Sequence, residues 1–389
     1  MRWIPGLALA LMIGCADPVP DPPHPFQEIV DQGLNIYLGS AAPSEVTDNG
    51  DGTRTYHFDP DDGPICLGGA PFSAMTRSGE GDGLILFLQG GGACWSTLCQ
   101  AFYEVLGLVP PVGILNTELP VNPVADWDVG YVSYCDGSLF AGDVDIDDDG
   151  DGVIDRYHRG LHNLSVSLEA FKTEFPNPSR ILLVGSSAGA YGTIIASALA
   201  RSVYPEVPLD VVADAGIGLG KPGKPEFIQS LIDEWNISHL IPESCTDCVG
   251  DGHITGVTDW ALSRDPNLRV FAISSEQDIV ISFFFLALSG PLYAEHLLAE
   301  TAELEAAHPG QFHRFIFEGD RHTTVSIDTT ADLSLAAGIP LEVDPALLST
   351  ILGTFDGTKI GGVSVAEWLA DGLAGVEGFS SLVESEMAP

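Results

Sequence analysis

An α/β fold, with a mostly parallel central sheet flanked by helices, is what the sequence predicts, and three observations predict it. Short, wholly or nearly apolar runs at residues 84–88, 181–184, 209–213 and 270–274 have the length and composition of strands buried on both faces. Leu161, Leu164, Leu168 and Phe171 recur at helical spacing, and residues 193–200 are apolar enough for a buried helix. Between the second run and that helix lie Gly185, Ser187 and Gly189, so a strand enters a small-residue turn and leaves it as a helix. A serine at the centre of such a turn is presented at the edge of the sheet, and its flanking glycines remove side chains that would collide.

Taken in order, the chain begins outside the fold. Arg2, a mostly apolar stretch over residues 3–13, and Gly14 before Cys15 read as an export signal. The small residue before cysteine resembles a bacterial lipoprotein processing site, which assigns residues 1–15 to the signal and Cys15 to lipidation. Pro-rich residues 16–25 would then form a semi-rigid tether. Residues 26–389 read as one large domain. Within it, residues 26–83 are rich in Gly, Asp and Pro, with alternation at residues 53–58 that suggests antiparallel edge strands. Residues 84–88 run into a glycine stretch, residues 129–134 form another strand, and residues 313–317 the last.

Composition narrows the partners. Asp and Glu number 55 against 15 Lys and Arg, a formal charge of −40, which repels nucleic acid and anionic membrane surfaces. The longest later apolar run, residues 279–288, is about half of what a membrane span needs. Membrane association is therefore expected only through a lipid on Cys15, and the expected state is a monomer, either held in a bacterial cell envelope or secreted. Six cysteines remain after Cys15, an even number that suggests disulfides in an exported chain. The close pairs Cys94/Cys99 and Cys245/Cys248 invite local bridges and would leave Cys66 with Cys135. A zinc site from Cys245, Cys248 and His253 is the competing reading.

Four segments, Leu88-Gln-Gly-Gly-Gly-Ala-Cys-Trp95, Tyr134-Cys-Asp-Gly-Ser-Leu-Phe-Ala-Gly-Asp143, Gly185-Ser-Ser-Ala-Gly189 and Asp214-Ala-Gly216, resemble in that order the pectin acetylesterase and Notum family of serine hydrolases. The resemblance runs from about residue 83 to about residue 369, where Ile360-Gly-Gly-Val-Ser-Val-Ala-Glu-Trp368 is similar to the family's closing segment. It implies an α/β-hydrolase-like fold and deacetylation of a pectin or removal of a fatty acyl group from a protein. Aligned with the family, Asp278 takes the place of the acid and His322 that of the base. The order Ser187, then Asp278 after a later strand, then His322 after the next, is also that of α/β-hydrolases in general.

Chemistry assigns the roles. His322 would accept the Ser187 proton and return it to the leaving alcohol, while Asp278 would hold the imidazole tautomer and stabilise its cation. The N–H groups of Gly91, Gly92 and Ala188 are the expected oxyanion donors. Glu276, Asp320 and His313 are the nearby rivals, and residues 283–288 read as a core helix segment more readily than as an acyl pocket. No cofactor is needed for this chemistry. Between residues 143 and 158, however, carboxylates at Asp147, Asp149, Asp151 and Asp155 and the Val153 carbonyl follow the spacing of an EF-hand loop, with His158 where the last glutamate belongs. A structural calcium ion is one expectation; a solvated acidic turn is the other. The whole describes an exported serine esterase acting on a carbohydrate or acyl ester, although a polygalacturonate would be repelled by so acidic a protein. The reading from another class is a non-catalytic hydrolase fold serving as a calcium-dependent surface-binding module.

Overall fold

The computed structural model describes residues 24–105, 107–331 and 350–387 together with Met1, so Cys15 and residues 16–23 of the tether lie outside the described residues. Its centre is a ten-stranded sheet. The antiparallel edge is built by β1 (Glu45–Asp48), β2 (Thr53–His57) and β3 (Ser73–Arg77), and β3 pairs antiparallel with β7 (Asp128–Val132). From β7 onward every pairing is parallel. The order is β7, β4 (Gly83–Leu88), β10 (Arg180–Ser186), β11 (Leu209–Asp214), β12 (Leu268–Ser275), β13 (Phe312–Phe317) and the short β16 (Leu382–Val383). Small two-stranded sheets join β5 (Gly92–Trp95) to β6 (Leu98–Ala101), β8 (Val144–Ile146) to β9 (Arg156–His158), and β14 (Lys359–Ile360) to β15 (Val363–Ser364). The fold is α/β-hydrolase-like, as the sequence leads one to expect.

The apolar strands have no polar face because both faces are covered. Successive side chains of a strand point to opposite sides, and in β4 Leu84, Leu86 and Leu88 enter one core while Ile85 and Phe87 enter the other. The first core is closed by helices α2 (Gly160–Glu174), α3 (Ala188–Val203), α4 (Pro225–Glu234), α5 (Thr255–Arg264) and α6 (Gly290–Ala307), with the short α1 (Gln27–Asp31) at its margin. α7 (Val365–Ala374) covers the second, inserting Trp368 and Leu369. A capping box explains where α7 starts: the Ser364 hydroxyl accepts the Glu367 N–H, and the Glu367 carboxylate accepts the Ser364 N–H. Among the described helices none is long and apolar enough to cross a membrane.

All three expected disulfides are present: Cys66–Cys135, Cys94–Cys99 and Cys245–Cys248. The last removes the thiolates that a zinc site would use, and the His253 Nδ1 that would have joined them accepts the Gly220 N–H instead, at 3.0 Å. That correction has a physical basis, since a cysteine already bonded to sulfur is no metal ligand. Cys66 and Cys135 are 69 residues apart, and the bridge ties the strap before β3 to the end of β7. Closing a loop of that length constrains the unfolded chain by about 4 kcal/mol. Replacing both cysteines by alanine is therefore expected to lower the stability by roughly that amount, seen as a lower denaturant midpoint; an unchanged midpoint would contradict the role given to the bridge.

Candidate active site

Ser187 is the residue at which β10 becomes α3, and its backbone is held at φ 57° and ψ −118°. A non-glycine residue there is strained by about 1–3 kcal/mol and persists only where its surroundings hold it. They do so on both sides: the Ser187 N–H donates to the Asp214 carbonyl at 2.9 Å, and the Ser187 carbonyl accepts the Ala190 N–H at 2.9 Å. The flanking glycines are required by space. A Cβ on Gly185 would lie 2.1 Å from the Gly189 carbonyl oxygen, and one on Gly189 would lie 2.1 Å from that of Leu88.

The expected acid and base come from the connections that follow β12 and β13, along the same sheet edge with β11 between. Beyond β12 the chain reaches Asp278, which has no exposed surface. One of its carboxylate oxygens accepts the N–H groups of Val280 and Ile281, each at 3.0 Å, and the two oxygens lie 3.0 and 2.9 Å from His322 Nδ1. His322 follows β13 and is fixed through its own N–H, which donates to the Ile351 carbonyl at 2.6 Å. With Nδ1 donating to the carboxylate, the neutral imidazole carries its lone pair on Nε2. Among the described hydrogen bonds none joins Ser187 Oγ to His322; such contacts often close only with substrate in place. The rivals go elsewhere. Asp320 is exposed, Glu276 makes no bond to the imidazole, and His313 packs on Phe271 and Phe379 on another part of the sheet.

Ser187 and His322 share a cavity of about 790 Å³, and Gly91, Gly92 and Ala188 line it as well. Ala188 is the first residue of α3, so its N–H has no acceptor within the helix. Gly92 has φ 82°, which a side chain would oppose, and a Cβ on Gly91 would strike Phe102 and Tyr134. The rest of the wall is mostly apolar, including Trp95, Ile279, Phe284, Phe285 and Leu352. Here the reading of residues 283–288 as a core helix segment holds for Leu286, which is fully buried, and is corrected for residues 283–285. Residues Val280–Phe285 form a short π-helical turn in which Ile281 faces the core, Phe284 and Phe285 line the cavity, and Phe283 and Phe284 are more than 60% exposed. The wider turn follows directly from Asp278, whose carboxylate holds the first N–H groups, so the helix starts at the cavity and not inside the core. Phe285 then meets Trp95, Tyr191 and Phe227 edge-on at 5.5–6.1 Å between centroids.

The acidic loop connects β8 to β9. One carboxylate oxygen from each of Asp147, Asp149 and Asp151 lies within 4.8 Å of the others. Asp155, expected among them, instead accepts the Asp148 N–H at 2.8 Å, and Val153 is exposed. His158 is buried, its Nδ1 is 3.0 Å from the Asp136 carbonyl, and burial pushes its pKa down to about 4, so it is a neutral structural residue. Asp148, absent from the expected ligands, forms a two-pronged ion pair with Arg156 at 2.6 and 2.7 Å, and Arg156 also reaches Glu234 at 2.9 Å.

Sequence reasoning passed over two groups. Asp214 is quoted above only as part of a motif, yet it is fully buried and binds the loop that carries His322. Ile351 and Leu352, which close the cavity beside the base, carry no signal in the sequence because they are ordinary apolar residues far along the chain.

A strained serine between strand and helix, a buried carboxylate–imidazole pair on later connections, and a shared cavity at the carboxyl edge of a mostly parallel sheet define an α/β-hydrolase-like protein equipped for ester chemistry. The chain belongs to the pectinacetylesterase family, whose family model matches residues 55–253. It is also 29% identical over 207 residues to "Pectin acetylesterase 11" of Arabidopsis thaliana, a match covering 47% of this chain. The chain spans about half the length of that relative, 52%. Both glycines of the turn and Ser187 fall inside the family match; Asp278 and His322 fall beyond it.

The contacts at Gly189 yield a direct test. Gly189→Ala forces a Cβ against the Leu88 backbone, which cannot rotate away, and should destabilise the protein by about 1–3 kcal/mol while displacing Ser187. Equilibrium unfolding together with an esterase assay checks this, and wild-type values in both would contradict the described packing.

Proposed function

We propose that the chain is an exported serine carboxylic-ester hydrolase. The single observation that carries the reading is that the fully buried Asp278 bonds His322, and His322 lines the same cavity as a serine held at positive φ. Ser187 Oγ attacks the ester carbonyl as His322 Nε2 takes its proton, and the Nδ1–H bond to Asp278 stabilises the imidazolium that forms. The N–H groups of Gly91, Gly92 and Ala188 receive the oxyanion. His322 then passes the proton to the departing alcohol, and water repeats the sequence to release the acid and free Ser187.

Size and polarity of the cavity bear on the substrate. At about 790 Å³ it is within the range of roughly 300–1,000 Å³ typical of small-molecule sites, and an acetyl group would fill little of it. Its apolar wall favours acyl groups longer than acetyl, and the charge of −40 favours an uncharged carrier over a polygalacturonate. The three disulfides support an oxidising compartment; residues 26–389 as one monomeric domain and a lipid on Cys15 as the anchor belong to the proposal on the sequence alone.

Hydrolysis of p-nitrophenyl acetate, butyrate and octanoate tests the reading. kcat/KM is expected to rise beyond acetate, and Ser187→Ala or His322→Ala should each reduce kcat by on the order of 10³ or more without unfolding the protein. A tenth or more of wild-type activity in either variant would overturn the assignment, and failure of a serine-reactive phosphonate to label Ser187 would favour a non-catalytic module.

We further propose that Asp147, Asp149 and Asp151 hold a calcium ion, with the Val153 carbonyl as a further oxygen donor. Three carboxylates this close repel one another without a cation. The absent glutamate at the last position argues for modest affinity, on the order of 10⁻⁴–10⁻³ M. Chelation should lower Tm, and millimolar calcium but not magnesium should restore it. A melting curve indifferent to both would leave a solvated acidic turn.

A further inference from the structure

Asp214, the last residue of β11, is tied to both halves of the site. Its carbonyl accepts the Ser187 N–H at 2.9 Å, so its main chain holds the nucleophile. Its side chain holds the base. One carboxylate oxygen accepts the N–H groups of Thr324 and Val325, at 2.6 and 2.8 Å, and the other accepts the Thr324 hydroxyl at 3.2 Å. These residues follow His322 within three positions, and a hydrogen bond of 2.6 Å from Ser326 Oγ to Ser186 Oγ ties the same loop directly to the residue before Ser187. The next residue, Ala215, is held at φ 65°, so the turn that delivers Asp214 is itself strained.

Neutral groups supply all three of these hydrogen bonds, and no salt bridge engages Asp214 among the described residues. An asparagine could make the same contacts, its carbonyl accepting both N–H groups and its amide donating to the threonine hydroxyl. Holding a carboxylate where nothing is exposed is unfavourable, and burial pushes its pKa up to about 6. The titratable group that acts on it is His322, whose charge favours the ionised form. What the charge adds beyond the contacts is therefore a field at the imidazole, which becomes cationic during the reaction.

We propose that Asp214 is a positioning residue with an electrostatic part: it joins the base loop to the nucleophile turn, and its carboxylate assists Asp278 in stabilising the His322 cation. This rests on the serine-hydrolase reading above.

Asp214→Asn separates the two parts, since it retains the contacts and removes the charge. At about pH 8, kcat for a short-chain ester should fall roughly tenfold or more with KM within about twofold. Tm should be no lower than wild type. The sign follows from linkage: a carboxyl with a folded pKa raised above its unfolded value of 3.8 contributes stability below that value and loses it as pH rises through about 6, so only the wild type bears the cost of the ionised form at pH 8. The difference in kcat should narrow below about pH 6, where Asp214 is protonated. An unchanged kcat, or a loss that accompanies a lower Tm and is constant with pH, would overturn the proposal. Should Asp214→Asn not fold, Thr324→Val removes one hydrogen bond to the ionised form and should move the acid limb of kcat to higher pH; an unmoved limb would overturn it too. If the wild type neither hydrolyses esters nor is labelled at Ser187, the functional reading and this inference fail together, whereas an active wild type matched by Asp214→Asn sinks the inference alone.

Discussion

The approach of Gly189 to the Leu88 carbonyl is the constraint on which the rest of the site depends. It brings the start of α3 against the end of β4, so the glycines that follow β4 arrive beside Ser187; a Cβ on Gly90 would lie 3.1 Å from that of Ser187. Two neighbouring parallel strands thereby deliver a nucleophile and a set of backbone donors into one small volume. Parallel register does the remainder. Because β10, β11, β12 and β13 pair in succession, their carboxyl ends emerge side by side, and residues more than a hundred positions apart meet at one edge.

Much of this was legible in the residue pattern because parallel strands are simple objects. A short run such as residues 84–88, apolar at every position, admits few arrangements other than a strand covered on both faces, and the core supplies both covers. The cysteine pairing was legible by parity and proximity. The hairpin of β5 and β6 was harder: its residues Gly92 and Ala93 look like flexible chain, yet the bridge from Cys94 to Cys99 closes them into a small sheet. Residues 283–285 were misjudged because three phenylalanines carry the same hydrophobic signal whether they fill a core or line a cavity. What decides between the two is the turn set by the Asp278 carboxylate, a tertiary fact. Asp214 was seen as a letter in a motif and not as a buried charge for a similar reason, since its partners are backbone N–H groups, which every sequence contains.

Scarcity of cations organises the electrostatics. With 15 Lys and Arg against 55 acids, most carboxylates must remain in water, and three of the arginines serve two buried acids. Arg201 and Asp265, each about 2–3% exposed, pair at 2.8 Å beneath the helices, and Arg180 and Arg269 both reach the buried Asp210. Arg156, itself mostly buried, anchors the acidic loop by joining the exposed Asp148 to Glu234, and Glu234 in turn accepts the Ser96 N–H at 2.6 Å beside the cavity wall. Asp214 and Asp278 receive no arginine. The titratable group that acts on both is His322, which bonds Asp278 directly and favours the ionised form of Asp214.

The one-directional growth of the sheet from β10 through β11, β12 and β13 bears on how the protein matures. Each new strand is added at the same edge as the chain lengthens, so a nascent polypeptide ending near residue 253 already contains the serine and its glycines but neither acid nor base. The imidazole is secured later still, by the carbonyl of Ile351. On the proposed serine-hydrolase reading, the turn that carries Ser187 is thus laid down well before the residues that would activate it, and a chain ending near residue 253 would hold the serine in an unreactive state.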